Sequence, residues 1–304
     1  MLNQTAFLDE RIKPRQEKLK DALFVQDEGN SVWTKTPSNK EISKGCLSCK
    51  TGAWMCIYVG NKCNVSCKYC PQGSAEEKNI RPDDEKATRY MPINDLLRLV
   101  SKQSSLVTGL SYSGGEPLLY LPKIIEIATY VSTHYPAIHQ WMYTNGLLIN
   151  EENLRVLVDL NIQEIRVHLG ATDFSDEVMG KMKLAVKHIK HVNVETPSVP
   201  SASEHLIKKG KIHLLQDIGV DQINLAELMI RCPRNNQYIG DAERYNYRCQ
   251  TFMATSPTYS REITYDIMEY AVHHNMDIII NDCSNAAKYW QQYMCKKNNV
   301  QISC

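Results

Sequence analysis

The sequence predicts an α/β fold in which a parallel sheet forms a partial (β/α)6, TIM-like barrel with N- and C-terminal extensions. Short apolar or β-branched runs recur along the chain, and each is followed by a turn rich in Gly, Pro, Asn or Ser and then by a longer amphipathic stretch. Strands that alternate with helices form parallel sheets with right-handed crossovers. The alternation fits a closed barrel or an open sheet, and the motifs at the predicted strand ends favour the barrel.

Seven strands and five helices are predicted from the pattern. The strands fall at residues 55–60, 106–112, 140–143, 164–169, 191–195, 222–226 and 276–281. The helices fall at residues 93–100, 121–133, 150–160, 176–189 and 204–218. The chain between successive strands is long enough to hold a helix.

Three parts are predicted along the chain. Residues 1–45 form a polar N-terminal extension, with a helix at 16–24 and a loop at 30–45. Residues 46–230 form the core barrel. Residues 231–304 form a C-terminal extension that closes the site, and its polar, aromatic stretch 234–250 is expected to cover the barrel mouth and meet the substrate.

The charge balance points to no particular macromolecular partner. Thirty-five basic and thirty-four acidic side chains give a net charge of +1, so the totals favour neither nucleic acid nor a membrane surface. The sequence has no run of 18 or more apolar residues, and its N-terminus carries charges where a signal peptide would be apolar. We expect a cytoplasmic protein.

Eleven cysteines are the most informative feature of the composition. The chain has no secretion signal that would place them where disulfides persist. Their number is odd and their spacing uneven, which fits metal ligation plus a few spare thiols better than a disulfide framework.

Three of these cysteines lie on one short loop. Cys63, Cys67 and Cys70 follow directly on the first predicted strand, at the strand end where α/β proteins place their chemistry. Iron–sulfur clusters are held by cysteine thiolates, usually four, so a loop that supplies three leaves one iron open to a ligand. The alternatives are a zinc site, which normally has four ligands and C-x2-C pairs, or chance clustering.

Two further motifs follow the next predicted strands. Gly114, Gly115 and Glu116 come after the second strand, where glycines allow close backbone approach and the carboxylate can hold an ammonium group. Thr144 and Asn145 precede Gly146 after the third strand. Either motif alone is also compatible with an ordinary turn.

The fourth and fifth predicted strands carry polar side chains on one face. Arg166 and His168 alternate with apolar neighbours, and so do Asn193 and Glu195. Buried charges require partners or a ligand, so a functional role is predicted if this face is inward. The alternative is a strand with these groups in water.

The spacing C-x3-C-x2-C, with Tyr69 before the last cysteine and with the GGE and TNG motifs at the next strand ends, resembles the radical SAM superfamily. The resemblance implies a [4Fe-4S] cluster on Cys63, Cys67 and Cys70, whose open iron takes the amino and carboxylate groups of S-adenosylmethionine. Reductive cleavage would release methionine and a 5′-deoxyadenosyl radical that abstracts hydrogen from an organic substrate. A reductase such as flavodoxin or ferredoxin would supply the electron.

The resemblance also implies which residues contact S-adenosylmethionine. Tyr69 would pack near the adenine, and the GGE motif would bind the amino group. The complete predicted set is Tyr69, Gly114, Gly115, Glu116, Thr144, Asn145, His168 and Glu195.

A second metal is predicted from Cys46 and Cys49, which have the tight pair spacing of metal knuckles. Two more thiolates are needed, and the candidates are Cys232, Cys249 and Cys283; Cys283 is preferred because it follows the last predicted strand. A GC-x2-C run ahead of the three-cysteine loop resembles a subgroup of the same family with an auxiliary iron, zinc or second iron–sulfur cluster. The alternative is that these thiols are buried or free.

The predicted function is therefore a radical SAM enzyme acting in small-molecule or natural-product biosynthesis. The alternative within this class is modification of a peptide or protein side chain. A different class is a zinc-binding structural or nucleic-acid module, for which the totals show no basic excess and which leaves the GGE motif unexplained.

Overall fold

The computed structural model describes residues 2, 4–70, 91–230 and 233–301. Within these residues the strands are β1 Leu23–Gln26, β2 Ser31–Thr34, β3 Trp54–Tyr58, β4 Gly109–Ser113, β5 His139–Thr144, β6 Ile162–Val167, β7 His191–Pro197, β8 Gln222–Ala226, β9 Arg244–Cys249, β10 Phe252–Pro257 and β11 Ile279–Cys283. The α-helices are α1 Gln4–Phe7, α2 Lys13–Lys18, α3 Lys44–Lys50, α4 Ile93–Gln103, α5 Leu121–His134, α6 Glu151–Asp159, α7 Asp176–Ala185, α8 Pro200–Ser203, α9 Lys211–Ile218, α10 Pro233–Ile239, α11 Thr258–His273 and α12 Asn285–Lys297.

One large sheet organises the described residues. Its strand order is β1-β2-β11-β8-β7-β6-β5-β4-β3. The strands from β3 to β8 are parallel to one another and lie in chain order, and β11 extends this parallel series beside β8. The hairpin β1–β2 joins antiparallel to β11. The predicted α/β class and partial barrel are confirmed, with an open sheet.

The two faces of the sheet differ in character because side chains alternate along each strand. Leu110, Met142, Ile165, Val194 and Ile223 are fully buried on the outer face as part of the main core, which also includes apolar residues of the helices. Burial of each such side chain stabilises the fold by about 1.5–3 kcal/mol. The other face carries polar and aromatic groups and is called the inner face here. It holds Trp54, Ser111, Trp141, Tyr143, Glu164, Arg166, Asn193, Glu195, Gln222, Asn224, Asn281 and Cys283.

Side-chain caps fix where several helices begin. Asn150 accepts a hydrogen bond from the backbone of Asn153 at α6, Ser175 from Val178 at α7, and Ser284 from Ala287 at α12. Such caps satisfy backbone N–H groups that would otherwise lack a partner.

The N-terminal predictions are wrong in two places. The helix predicted at 16–24 ends with Lys18, and residues 23–26 form β1; the loop predicted at 30–45 contains β2 and the start of α3. The β-branched and aromatic residues Phe24, Val25, Val32 and Trp33 pair across this hairpin. The hairpin is stabilised by its long-range pairing with β11, which a local pattern does not reveal.

The predicted helix at 204–218 is interrupted. A π-helical turn covers Glu204–Lys208, and α9 begins only after Gly210, whose φ of +67° is left-handed. Glycine adopts this conformation without the penalty that other residues incur. The segment is therefore two short helical pieces.

The division of the chain into three parts stays a prediction. The large sheet contains strands from all three of these parts. The N-terminal part contributes β1 and β2, and the C-terminal part contributes β11. The C-terminal part also forms the hairpin β9–β10 and the helices α11 and α12, none of which was predicted. No helix among the described residues is long and apolar enough to span a membrane.

Candidate active site

The three-cysteine loop follows β3, and the start of this loop is hydrogen-bonded to the segment after β4. The backbone N–H of Gly115 donates to the carbonyl of Gly60 at 2.8 Å, and that of Glu116 donates to the carbonyl of Lys62 at 2.8 Å. A Cβ atom at Gly115 would lie 2.2 Å from the Lys62 oxygen, so this position requires glycine. The backbone of the GGE motif thus holds the first part of the cysteine loop.

The Glu116 side chain links the GGE motif to the TNG motif. Its carboxylate accepts hydrogen bonds from the backbone N–H of Asn145 at 2.7 Å, from Thr144 Oγ1 at 2.8 Å and from the backbone N–H of Leu118 at 3.1 Å. Burial raises the pKa of Glu116, and these three hydrogen bonds act against the rise. Most of the acceptor capacity of this carboxylate is occupied within the protein.

Asn145 extends the same connection back to the cysteine loop. Its Nδ2 donates to Asn64 Oδ1 at 2.6 Å and lies 3.9 Å from Cys63 Sγ. The loop, the GGE motif and the TNG motif therefore form one hydrogen-bonded unit at the carboxyl ends of β3, β4 and β5.

The three predicted cluster ligands lie near one another. Burial, together with the neighbouring Cys70 and Cys63, raises the pKa of Cys67 to about 12. Among the residues that the structure describes, no three Cys, His, Asp or Glu side chains already stand in the arrangement of a metal site. Cluster binding would therefore draw the three thiols together.

Buried polar atoms without protein partners surround Tyr69. Within the described chain, Tyr69 Oη, His168 Nδ1 and Thr196 Oγ1 are buried without a hydrogen-bond partner. A Cβ atom at Gly170 would lie 2.5 Å from Tyr69 Oη and 2.9 Å from Thr196 Oγ1. Burial lowers the pKa of His168 to about 4, so its ring is neutral at pH 7. Because buried polar groups are normally hydrogen-bonded, these atoms fit a polar ligand such as the nucleoside part of S-adenosylmethionine.

Helix α10 covers the cysteine loop. Its Tyr238 ring packs edge-on against Tyr69, with ring centroids 5.5 Å apart, and Arg234 Nη2 donates to the carbonyl of Ser66 at 3.1 Å. This helix belongs to the stretch 234–250 that was expected to cover the barrel mouth. Its contact with a substrate stays a prediction.

Arg166 lies at the centre of the inner face. It is 2% exposed, which excludes the alternative that this group is in water. Its Nε donates to Glu164 Oε1 at 2.7 Å, and its guanidinium lies 5.1 Å from the ring centroid of Trp141 and 5.5 Å from that of Tyr143. Burial alone would raise the pKa of Glu164, but the positive charge of Arg166 and contact with His139 outweigh it and lower that pKa.

A second group of thiols lies on the inner face beneath α3. Cys46 Sγ accepts a hydrogen bond from Gln222 Nε2 at 3.1 Å, and Asn281 Nδ2 lies 3.2 Å from Cys283 Sγ. The charge of Glu195 raises the pKa of both Cys49 and Cys283, in addition to the larger effect of burial. The structure thus places Cys46 and Cys283 against the same Asn281 amide, whereas Cys49 packs against the cluster of Trp54, Cys56 and Trp141.

The other predicted ligands are elsewhere. Cys249 ends β9 and interacts with Tyr289, and Cys232 lies outside the described residues. Polar inner-face residues that the sequence analysis did not select contribute to this region. They are Glu164, Gln222, Asn224 and Asn281, and Ser43, which caps α3, contacts Gln222 and Glu164. Alternation of polar and apolar residues along β6, β8 and β11 was the available signal.

Comparison with known proteins agrees with this site. A sequence model of the Radical SAM superfamily matches residues 57–195, which include the cysteine loop, the GGE motif and the TNG motif. The match over these residues supports a radical SAM enzyme as the class of protein that the fold and the site indicate. The alternative of a zinc-binding structural or nucleic-acid module is therefore not supported.

Curated relatives are distant. A Methanocaldococcus jannaschii protein, provisionally named a glycyl-radical enzyme activating enzyme, is 26% identical over 178 residues, covering 55% of this chain and 46% of its own length. An S-adenosyl-L-methionine-dependent 2-deoxy-scyllo-inosamine dehydrogenase of Niallia circulans is 28% identical over 149 residues, covering 44% of this chain and 54% of its own. The chain spans about half the length of these relatives.

A solved structure shows the same fold. Streptococcus suis SuiB bound to S-adenosylmethionine matches with a TM-score of 0.52 and 14% sequence identity, covering 92% of this chain and 61% of that one. At this identity the likeness concerns the fold alone.

Proposed function

We propose that this chain holds a [4Fe-4S] cluster on Cys63, Cys67 and Cys70 and uses it to cleave S-adenosylmethionine reductively. When bound, the cluster would supply an electron to the sulfonium, and a 5′-deoxyadenosyl radical would then abstract hydrogen from an organic substrate. The observation that carries this proposal is the single hydrogen-bonded unit formed by the cysteine loop, the GGE motif and the TNG motif.

The residues of the chain would orient the cofactor and exclude water. The GGE backbone fixes the cysteine loop, and α10 covers it through Arg234 and Tyr238. Tyr69, His168 and Thr196 offer buried polar atoms for the adenosyl part. Because Glu116 is already bonded to Thr144 and Asn145, its role in binding the methionine amino group would use the remaining acceptor positions of its carboxylate.

The test is anaerobic reconstitution of the full chain with iron and sulfide, followed by reduction in the presence of S-adenosylmethionine. The wild-type chain is expected to form 5′-deoxyadenosine, and Cys67→Ala to form none. Cys249→Ala is the matched control, since this thiol lies outside the site, and it should retain wild-type yield. Equal yields from Cys67→Ala and the wild type would refute the proposal.

For the substrate, we propose a small polar molecule, with a peptide side chain as the alternative. The inner face supports this choice because Arg166, Asn193, Glu195 and Asn224 line it with polar groups rather than with an apolar groove. The dehydrogenase relative is named for a small amino-cyclitol, whereas the activating-enzyme relative is named for action on another enzyme. A flavodoxin or ferredoxin would supply the electron.

We also propose an auxiliary metal, either iron, zinc or a second iron–sulfur cluster, on Cys46, Cys49 and Cys283. The Asn281 amide lies 3.7 Å from Cys46 Sγ and 3.2 Å from Cys283 Sγ, and this shared contact favours a common site. A variant that lacks Cys63, Cys67 and Cys70 should retain metal, and the further removal of Cys46 and Cys49 should abolish it.

A further inference from the structure

The loop after β6 forms part of the polar site around Tyr69. It covers residues 168–175, between β6 and α7. His168 begins this loop, and a Cβ atom at Gly170 would lie 2.5 Å from Tyr69 Oη. The backbone N–H of Ala171 donates to the carbonyl of His168 at 3.0 Å, so the loop starts with a tight turn. The position of this loop therefore decides whether His168 and Gly170 lie against Tyr69.

Two consecutive residues of this loop have a left-handed backbone. Asp173 has a φ of +49° and Phe174 a φ of +55°. Such conformations are uncommon for residues other than glycine, and a bulky side chain such as that of Phe174 is a clear exception. Strained residues of this kind persist only where the surrounding structure holds them, and they cluster at ligand-binding sites. Groups outside the loop must therefore support it.

His205 contacts both strained residues. Its ring stacks on the fully buried ring of Phe174, with the centroids 5.1 Å apart and the planes inclined by 10°. Its Nε2 lies 3.5 Å from Asp173 Oδ1, a distance at which the protonated imidazole forms an ion pair with the carboxylate. Lys211 adds a third contact, since its Nζ donates to the carbonyl of Phe174 at 2.6 Å. These contacts hold the left-handed pair in place.

A π-helical turn carries His205. The backbone N–H of Lys209 donates to the carbonyl of Glu204 at 3.0 Å, which is the five-residue spacing of a π-helix. Single π-helical turns are rare and are frequently found at functional sites. Within the described chain the buried Nδ1 of His205 has no hydrogen-bond partner. An apolar ring would give the same stack without the cost of this unpaired nitrogen, so the pairing of Nε2 with Asp173 is the property that favours histidine here.

We propose that His205 is a positioning residue for S-adenosylmethionine. By holding Asp173 and Phe174 in their left-handed conformations, it keeps the loop at 168–175 against Tyr69 and pre-forms the site for the adenosyl part of the cofactor. A loop that is already ordered lowers the entropic cost of binding and raises the affinity. His205 acts through the loop and takes no part in the chemistry. This inference rests on the proposed function, because the site around Tyr69 must be the one that takes S-adenosylmethionine.

The test measures the binding of S-adenosylmethionine to the anaerobically reconstituted full chain by equilibrium dialysis, together with iron and sulfide content. His205→Ala removes both the stack and the ion pair, and it should raise the Kd about tenfold, which corresponds to a loop that is in place in about one molecule in ten. His205→Phe keeps the stack and should raise the Kd less. Iron content and the rate of 5′-deoxyadenosine formation at saturating S-adenosylmethionine should stay at wild-type values, because the reacting groups are unchanged.

The matched control is His213→Ala, which removes an exposed histidine on α9 that contacts Tyr270, and its Kd should equal that of the wild type. Asp173→Asn changes an exposed side chain, so folding is not at risk; it removes the ion pair and should raise the Kd about threefold. Wild-type Kd values in both His205→Ala and Asp173→Asn would overturn the positioning role and leave S-adenosylmethionine cleavage standing. A loss of iron as large as the loss of binding would do the same. A wild-type chain that neither binds S-adenosylmethionine nor forms 5′-deoxyadenosine would overturn the proposed function and this inference with it.

Discussion

The carboxylate of Glu116 accepts the backbone N–H of Asn145 at 2.7 Å, which joins the chain after β4 to the chain after β5. The same Asn145 reaches Asn64 between the first two cysteines of the loop. One buried carboxylate thus sets the position of two neighbouring strand ends relative to Cys63, and several expected outcomes depend on it.

Replacement of Glu116 by alanine is expected to destabilise the fold by about 1–3 kcal/mol, because buried donors of Thr144 and Asn145 lose their acceptor. It should also lower the yield of 5′-deoxyadenosine, since Asn145 is then free to move away from the cysteine loop. Urea unfolding and product analysis measure the two effects. Glu126→Gln, at an exposed site on α5, should change neither.

Gly115→Ala should prevent stable cluster assembly. The new Cβ would lie 2.2 Å from the Lys62 carbonyl oxygen, and this backbone atom belongs to the cysteine loop itself. Iron and sulfide content after reconstitution should fall well below the wild-type value. The control is Gly180→Ala on α7, where nothing lies within 4 Å, and it should stabilise the helix by about 0.5–1 kcal/mol. Wild-type iron content in Gly115→Ala would contradict the proposed packing.

Glu164→Ala should cost about 3–5 kcal/mol, because it leaves the Arg166 charge buried without its carboxylate partner. The pKa of Glu164 in the folded chain lies below its ordinary value of 4.5. Its contribution to stability is therefore present above about pH 4.5 and is lost as the pH falls. Urea unfolding at pH 7 and pH 4 should show a smaller pH dependence in Glu164→Gln than in the wild type. The exposed Glu152→Gln should follow the wild type.

Arg234→Ala should expose the cysteine loop more often. Loss of its two exposed hydrogen bonds to Ser66, one to the carbonyl and one to Oγ, removes about 1 kcal/mol in total, which corresponds to a roughly fivefold larger population of the opened loop. The reconstituted variant should lose its iron–sulfur absorption in air several times faster than the wild type. Arg248→Ala, on the exposed side of β9, is the control and should bleach at the wild-type rate. If both variants bleach alike, α10 does not protect the loop.

The cysteine loop and the two motifs after it were accessible from sequence because their chemistry depends on spacing within short segments. Cys63, Cys67 and Cys70 are close in the chain, and each motif directly follows a parallel strand. The parallel strands themselves were located within a few residues because their apolar runs are bounded by turns. β6, for example, covers Ile162–Val167 where 164–169 was predicted.

The missed strands β1 and β2 depend on a distant partner. β1 and β2 are four residues each, and they persist because β2 pairs with β11. The alignment of Glu195 with Asn224 and Asn281 likewise follows from strand order, in which β7, β8 and β11 lie side by side although long stretches of chain separate them. The residues near each strand in a single sequence do not indicate which other strands will lie beside it in the sheet.

The pairing of β2 with β11 also bears on how the protein is made. The contact between Asn281 and Cys46 joins residues 235 positions apart, so the N-terminal hairpin and α3 leave the ribosome long before their partner strand exists. Contacts of such separation form late because loop closure must be offset before they stabilise the chain. Cys46 would meet Cys283 only after residue 283 has left the ribosome, so the proposed auxiliary metal would be loaded late and the α3 thiols would stay exposed to oxidation until then.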